Sequence, residues 1–141
     1  MASSTNVVPR LALLDSGCSK HTLREVAHTA TDVHNHVPQV CGTPTGATML
    51  SSAKSLLDLP TLPQEARVAH KYPDLSYRSL LSVGQLCDAG YNVFFHKDRA
   101  EVQQTTTGKV VLAATRDADT GLYLTPLQQR AAMVHTADIL T

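Results

Sequence analysis

Hydrophobic and polar positions alternate in short bursts along this chain, and few bursts are long enough for a helix. Val7 to Leu14 is apolar except at Pro9 and Arg10 and stops at Asp15-Ser16-Gly17. An apolar run ended by Asp and Gly predicts a buried strand that delivers a loop. From Ser19 to Ala30 the apolar positions Leu23, Val26, Ala27 and Ala30 fit one or two helical turns. Val33 to Val40 suits a strand, Gly42-Thr43-Pro44-Thr45-Gly46 supplies a turn, and Ala47 to Ser52 can run back. Val37 to Ser52 is therefore predicted as a hairpin. Leu56 to Leu59 reads as a further short strand, closed by Pro60 and Pro63. Val68 to Tyr72 is extended ahead of Pro73, which biases Tyr72 away from helix.

In Leu80 to Gly90, the side chains of Leu80, Val83, Leu86 and Cys87 fall near one helical face, and Gly90 suits a C-terminal cap. Tyr91 to Phe95, Ala100 to Gln104, Lys109 to Ala114 and Leu122 to Thr125 read as strands. Turn residues at Lys97-Asp98, Thr107-Gly108 and Asp117 to Gly121 separate them. Many short strands and one short helix predict a mostly-β fold closed, or partly closed, into a small barrel. That domain spans residues 1–126, and residues 127–141 form a weakly helical tail or linker.

Composition narrows the picture. A chain of 141 residues suffices for one domain. With 4% aromatics and no Trp, its core must come from Leu, Val and Ala. Twelve basic residues balance twelve acidic ones, so neither charge nor stacking favours nucleic-acid binding. Met1 to Asn6 has no basic region followed by an apolar run, so no signal peptide is expected. Val33 to Ala53 lacks charged residues but is too polar for a membrane helix. Cys18, Cys41 and Cys87 fit neither a disulfide framework nor a zinc ribbon, which suggests a reducing compartment, cytosolic or nuclear.

The candidate chemistry lies at Asp15. A carboxylate at the end of an apolar strand is desolvated from below and presented at a loop tip. Taken alone, Asp-Ser-Gly is an ordinary turn. A second block about 65 residues downstream changes its weight: Leu80-Leu81-Ser82-Val83-Gly84-Gln85-Leu86-Cys87-Asp88-Ala89-Gly90, followed by the aromatic strand Tyr91 to Phe95. Together with Leu13-Leu14-Asp15-Ser16-Gly17-Cys18-Ser19-Lys20-His21, it resembles the aspartic protease of copia-type retrotransposons. Tyr72-Pro73-Asp74-Leu75 and Thr115-Arg116-Asp117-Ala118-Asp119-Thr120-Gly121-Leu122-Tyr123 echo the same family, so the likeness covers roughly residues 7–127.

The resemblance implies a retropepsin-like barrel in which Asp15 is the catalytic carboxylate, supported in its loop by Ser16, Gly17 and Ser19. Ser16 would brace the two loops of a dimer, and Gly17 would leave room for substrate backbone. The Val37–Ser52 hairpin would be the flap, its Cys41, Gly42, Thr43, Pro44, Thr45 and Gly46 closing over a peptide. Leu80, Leu81 and Ser82 would cross behind the active-site loop, and Gly90 to Phe95 would match the terminal strand of retroviral dimers.

A dimer follows from the chemistry as well. Hydrolysis by water needs one carboxylate as base and one carboxylic acid as donor, whereas one Asp-Ser-Gly supplies a single Asp. A two-fold axis would supply the second. Asp119-Thr120-Gly121 spells a rival motif, but no apolar strand precedes it and too few residues follow it for a second half-site. His34, His36 and Cys41 lack a fourth ligand, so no metal is expected, and no cofactor motif is present.

The sequence therefore suggests a homodimeric aspartic endopeptidase that processes a retrotransposon polyprotein, without a membrane or nucleic-acid partner. It would act in the cytoplasm, within a virus-like particle if the element is intact, with the nucleus left open. The alternative is a catalytically inactive β-barrel remnant serving as a dimerisation or peptide-binding module.

Overall fold

Leu11, Ala12, Leu13 and Leu14 alternate between half-buried and buried positions, the period of a strand with one face on the core. They form β1 (Leu11–Asp15). The structure, a computed structural model, describes residues 10–129. In chain order there follow β2 (Thr22–Arg24), β3 (Thr31–Val33), β4 (Val40–Gly42), β5 (Thr48–Leu50) and β6 (Ala53–Leu56). Then come α1 (Gln64–Arg67), β7 (Val68–Tyr72), β8 (Ser79–Ser82), α2 (Val83–Asp88) and β9 (Tyr91–Phe95). The last three strands are β10 (Arg99–Gln104), β11 (Val110–Arg116) and β12 (Tyr123–Pro126).

The chain is mostly β. Ten strands share one sheet in the order β3-β6-β7-β2-β8-β1-β12-β11-β10-β9, and β4 pairs with β5 apart from it. The β1–β8 and β2–β7 pairs are parallel. The expected closed or partly closed barrel is corrected to an open sheet, because β3 and β9 end it and share no pairing among the described residues. Closure depends on hydrogen bonds between the two terminal strands, which a pattern of short strands and turns does not specify.

Two local expectations also change. Helical turns over Ser19 to Ala30 give way to strand β2, with Thr22 opposite both His70 and Leu80. Leu23 is fully buried there, while Val26 is 56% exposed, so the proposed helical face does not exist. The expected single helix from Leu80 becomes strand β8 followed by α2, and α1 is a second short helix after Pro63. Gly90 follows α2 with φ +96°, the left-handed conformation that glycine adopts without a Cβ penalty. The strand expected at Leu56–Leu59 lies earlier, at β6.

The core is built chiefly from Leu and Ala. Leu23, Leu57, Leu59, Leu81, Leu86 and Leu127 are completely buried, and Val102 joins them from β10. At the β3 end, Asp32 receives bonds from Ser55 Oγ (2.6 Å), Thr29 Oγ1 (2.7 Å) and the Lys71 ammonium (2.9 Å). Burial works against the Asp32 carboxylate's charge, but the Ser55, Lys71 and Thr29 bonds outweigh it and hold the group below its usual range. This acid thereby ties β3 to β6 and β7.

The start of the expected tail is docked. The Leu127 amide donates to the Arg10 carbonyl (2.8 Å), and the Gln129 amide donates to that of Asp58 (3.0 Å). The rest of the expected tail, like Val7 to Pro9 of the first predicted strand, lies outside the described residues. Replacing Leu127 by Ala should lower the unfolding free energy by about 2–5 kcal/mol, the range for a buried leucine. Urea unfolding followed by circular dichroism checks this; a change below about 0.5 kcal/mol would put Leu127 outside the core.

Candidate functional site

Strand β1 carries Asp15 to the middle of the sheet. On one side Leu13 and Leu14 lie opposite Leu80 and Leu81 of β8, and Asp15 lies opposite Ser82. On the other side β12 pairs antiparallel with β1. The Asp15 Oδ1 atom accepts the Gly17 amide at 2.8 Å, an Asx-type turn that points the carboxylate along its own loop. A Cβ on Gly17 would stand 3.3 Å from that same oxygen, so glycine here makes room beside the carboxylate.

The underside of the loop is polar and closed. Ser82 Oγ donates to the Cys18 carbonyl (2.6 Å) and accepts the Gln85 amide (3.0 Å), which makes Ser82 the N-cap of α2. The Ser82 amide donates to His21 Nδ1 (2.9 Å), and His21 Nε2 meets the Ala66 carbonyl (2.7 Å). Gln85 accepts the His21 amide through Oε1 (2.8 Å) and donates through Nε2 to the carbonyls of Val68 (2.8 Å) and Glu65 (3.1 Å). Ser82, Gln85 and His21 are all buried, and every one of these polar groups has a partner.

Above the loop stands the hairpin β4–β5, with Cys41 opposite Met49 and Gly42 opposite Thr48. The Thr43 amide bonds the Ala47 carbonyl (2.8 Å), and Gly46 takes φ +89° to close the turn. At the base, Ser51 Oγ accepts the Gln39 amide (2.8 Å) and meets His36 Nε2 (2.8 Å). His34 Nδ1 lies 3.3 Å from the Ser52 carbonyl, so these histidines serve the base of the hairpin. Among the described residues no group of three or more His, Cys, Asp or Glu side chains could hold a metal ion.

Loop and hairpin face one another across a cleft of about 450 Å³. Asp15, Gly17 and Ser19 line it from the loop, Cys41, Gly42, Thr43 and Pro44 from the hairpin, and Leu80 from the sheet. Several expected site residues lie elsewhere. Thr45 and Gly46 are exposed at the hairpin turn, while Leu81 and Ser82 are buried beneath the loop. Exposed Ser16 turns to a neighbouring groove that Asp15 shares with Leu13, Phe95 and Gly121 to Tyr123. Asp119 itself is an exposed turn residue between β11 and β12.

The sequence reading missed Met49, Tyr72 and Leu75, which also line the cleft. Burial, with Cys41 and Cys18 nearby, raises the Tyr72 phenol to about 12, so it stays a neutral hydroxyl. The roles of His21 and Gln85 were missed as well. Both stand inside the two blocks that carry the family likeness, but nothing in those blocks says which backbone groups their side chains bond. No helix among the described residues is long and apolar enough to cross a membrane.

Neither a family model, nor a curated protein, nor a solved structure matches the chain.

The thiols differ in environment. Burial raises the Cys18 thiol above its usual pKa, against the lowering effect of Thr22 and Lys20, whereas Cys87 is exposed. Alkylation by iodoacetamide at pH 8, followed by mass spectrometry, should label Cys87 first and Cys18 several-fold more slowly. Equal rates would show that the loop opens freely.

Proposed function

We propose that this chain is one half of an aspartic endopeptidase, its active site completed by the Asp15 of a second copy. The observation that carries the reading is the cleft, where the Asp15 loop faces a hairpin of its own small sheet. A peptide lying there has the carboxylate on one side and a β-ribbon on the other. Asp15 is the one acidic side chain lining the cleft among the described residues. Acid–base hydrolysis by paired carboxylates therefore needs a second chain.

In the dimer, one Asp15 takes a proton from water as the water attacks the scissile carbonyl. The other, protonated, hydrogen-bonds the developing oxyanion, and the shared proton then passes to the leaving amine. The resemblance to copia-type retrotransposon proteases supports this reading and extends it to polyprotein processing and a retropepsin-like fold. Its most specific block, Leu80 to Gly90, includes Ser82 and Gln85, which bond the underside of the Asp15 loop.

A second reading rests on the same count of carboxylates. A lone chain has the cleft and the hairpin but half of the acid pair, so as a monomer it would bind an extended peptide without cutting it.

Two measurements decide between them. Asp15→Asn should reduce cleavage of a peptide library by about 100-fold or more, the low end of what acid–base groups contribute, with an unchanged circular dichroism spectrum. Undiminished cleavage would end the assignment. Sedimentation equilibrium at micromolar concentration should give a dimer; a strict monomer that binds peptides would establish the binding module instead.

A further inference from the structure

We propose that His21 is a positioning residue of this site: its ring, as the neutral Nε2–H tautomer, clamps Ser82 and through it the Asp15 loop. The inference rests on the reading of Asp15 as the catalytic acid, and its geometry can be tested without that reading.

The tautomer is fixed by its partners. Ser82 presents a backbone N–H, which can only donate, so Nδ1 must be a bare acceptor at 2.9 Å. Ala66 presents a carbonyl, which can only accept, so Nε2 must carry the proton at 2.7 Å. One hydrogen-bonded line therefore runs from α1 through the ring to β8, and Ser82 Oγ continues it to the Cys18 carbonyl (2.6 Å). The loop is held at both ends: Asp15 by its ladder with β8, Cys18 by this line.

Protonation would break the clamp, since a second N–H would then face the Ser82 amide. Among charged groups on the surrounding elements, Lys20 precedes the ring and opposes a proton on it. Glu65 and Arg67 flank Ala66 on α1, Asp88 ends α2, and His70 of β7 bonds the His21 carbonyl only through its amide. Burial, with Lys20, outweighs the Ala66 carbonyl and lowers the ring from 6.5 to about 4. The sign follows from that depression. Above pH 6.5 the ring is neutral in the fold and in the unfolded chain alike. Between 6.5 and about 4 only the unfolded chain takes the proton, so the fold loses stability. Below about 4 the folded ring takes it too, and the loop is released.

His21→Asn separates positioning from bulk, because its amide oxygen can accept from Ser82 where Nδ1 did and does not titrate. The expected result is a kcat–pH profile whose acid limb moves to lower pH in H21N, with KM at neutral pH within about threefold. An unmoved limb would overturn the proposal. The second measurement needs no cleavage. In the unmodified protein, ring-nitrogen NMR should show bare Nδ1 and protonated Nε2 down to pH 5, and Ser82 amide-exchange protection should be lost as the ring titrates. A ring titrating near 6.5, or protection that persists through its titration, would overturn the clamp. If no peptide is cut at any pH, the protease reading falls, and the NMR titration still decides the clamp.

Discussion

The parallel pairing of β1 with β8 is the constraint on which the rest of the site depends. A strand ending in Asp-Ser-Gly presents a carboxylate wherever it stops, but nothing in those residues fixes the loop that follows. β8 supplies what is missing, because its register sets Ser82 opposite Asp15 and its next residues turn at once into α2. Ser82 is thus strand end, helix cap and loop support together. An alanine there would leave the Gln85 amide and the Cys18 carbonyl without their hydroxyl partner. Buried groups orphaned in that way cost about 1–3 kcal/mol each.

That demand accounts for the polar residues under the loop. Parallel strands need a crossover, and this one descends through α1 and β7 before returning to β8. Where the crossover passes beneath the loop, carbonyls at Glu65, Ala66 and Val68 point into the interior. Apolar side chains could fill the space but not satisfy those oxygens. His21 and Gln85 do both, which is why an interior built chiefly of Leu and Ala also holds a buried imidazole and a buried carboxamide.

Much of the fold was legible because alternation and turn chemistry speak locally. Val68 to Tyr72 and the four strands from Tyr91 onward read correctly, each being bounded by Gly, Asp, Thr or Pro. The three-residue strands β2 and β3 did not, since each exists only through partners far along the chain; Thr22 needs His70 and Leu80. Sheet closure failed for the same reason. At the site, Asp15 and the hairpin stood out because strand end and turn are sequence events. His21 stood in the motif block, but its role was not legible, because that role lies in contacts with Ala66 and Ser82, 45 and 61 positions away.

The hairpin's separation from the main sheet has a kinetic meaning. A ribbon with its own ladder can swing without breaking a strand-to-strand bond of the main sheet, and lifting it would expose Met49, which is buried and lines the cleft. Exposing such a side chain costs about 1.5–3 kcal/mol, which on that contribution alone leaves the raised form populated at roughly 0.6–7%. Entry to the cleft is then a matter of waiting for a frequent fluctuation rather than for local unfolding, and a bound chain that covers Met49 would itself hold the ribbon down.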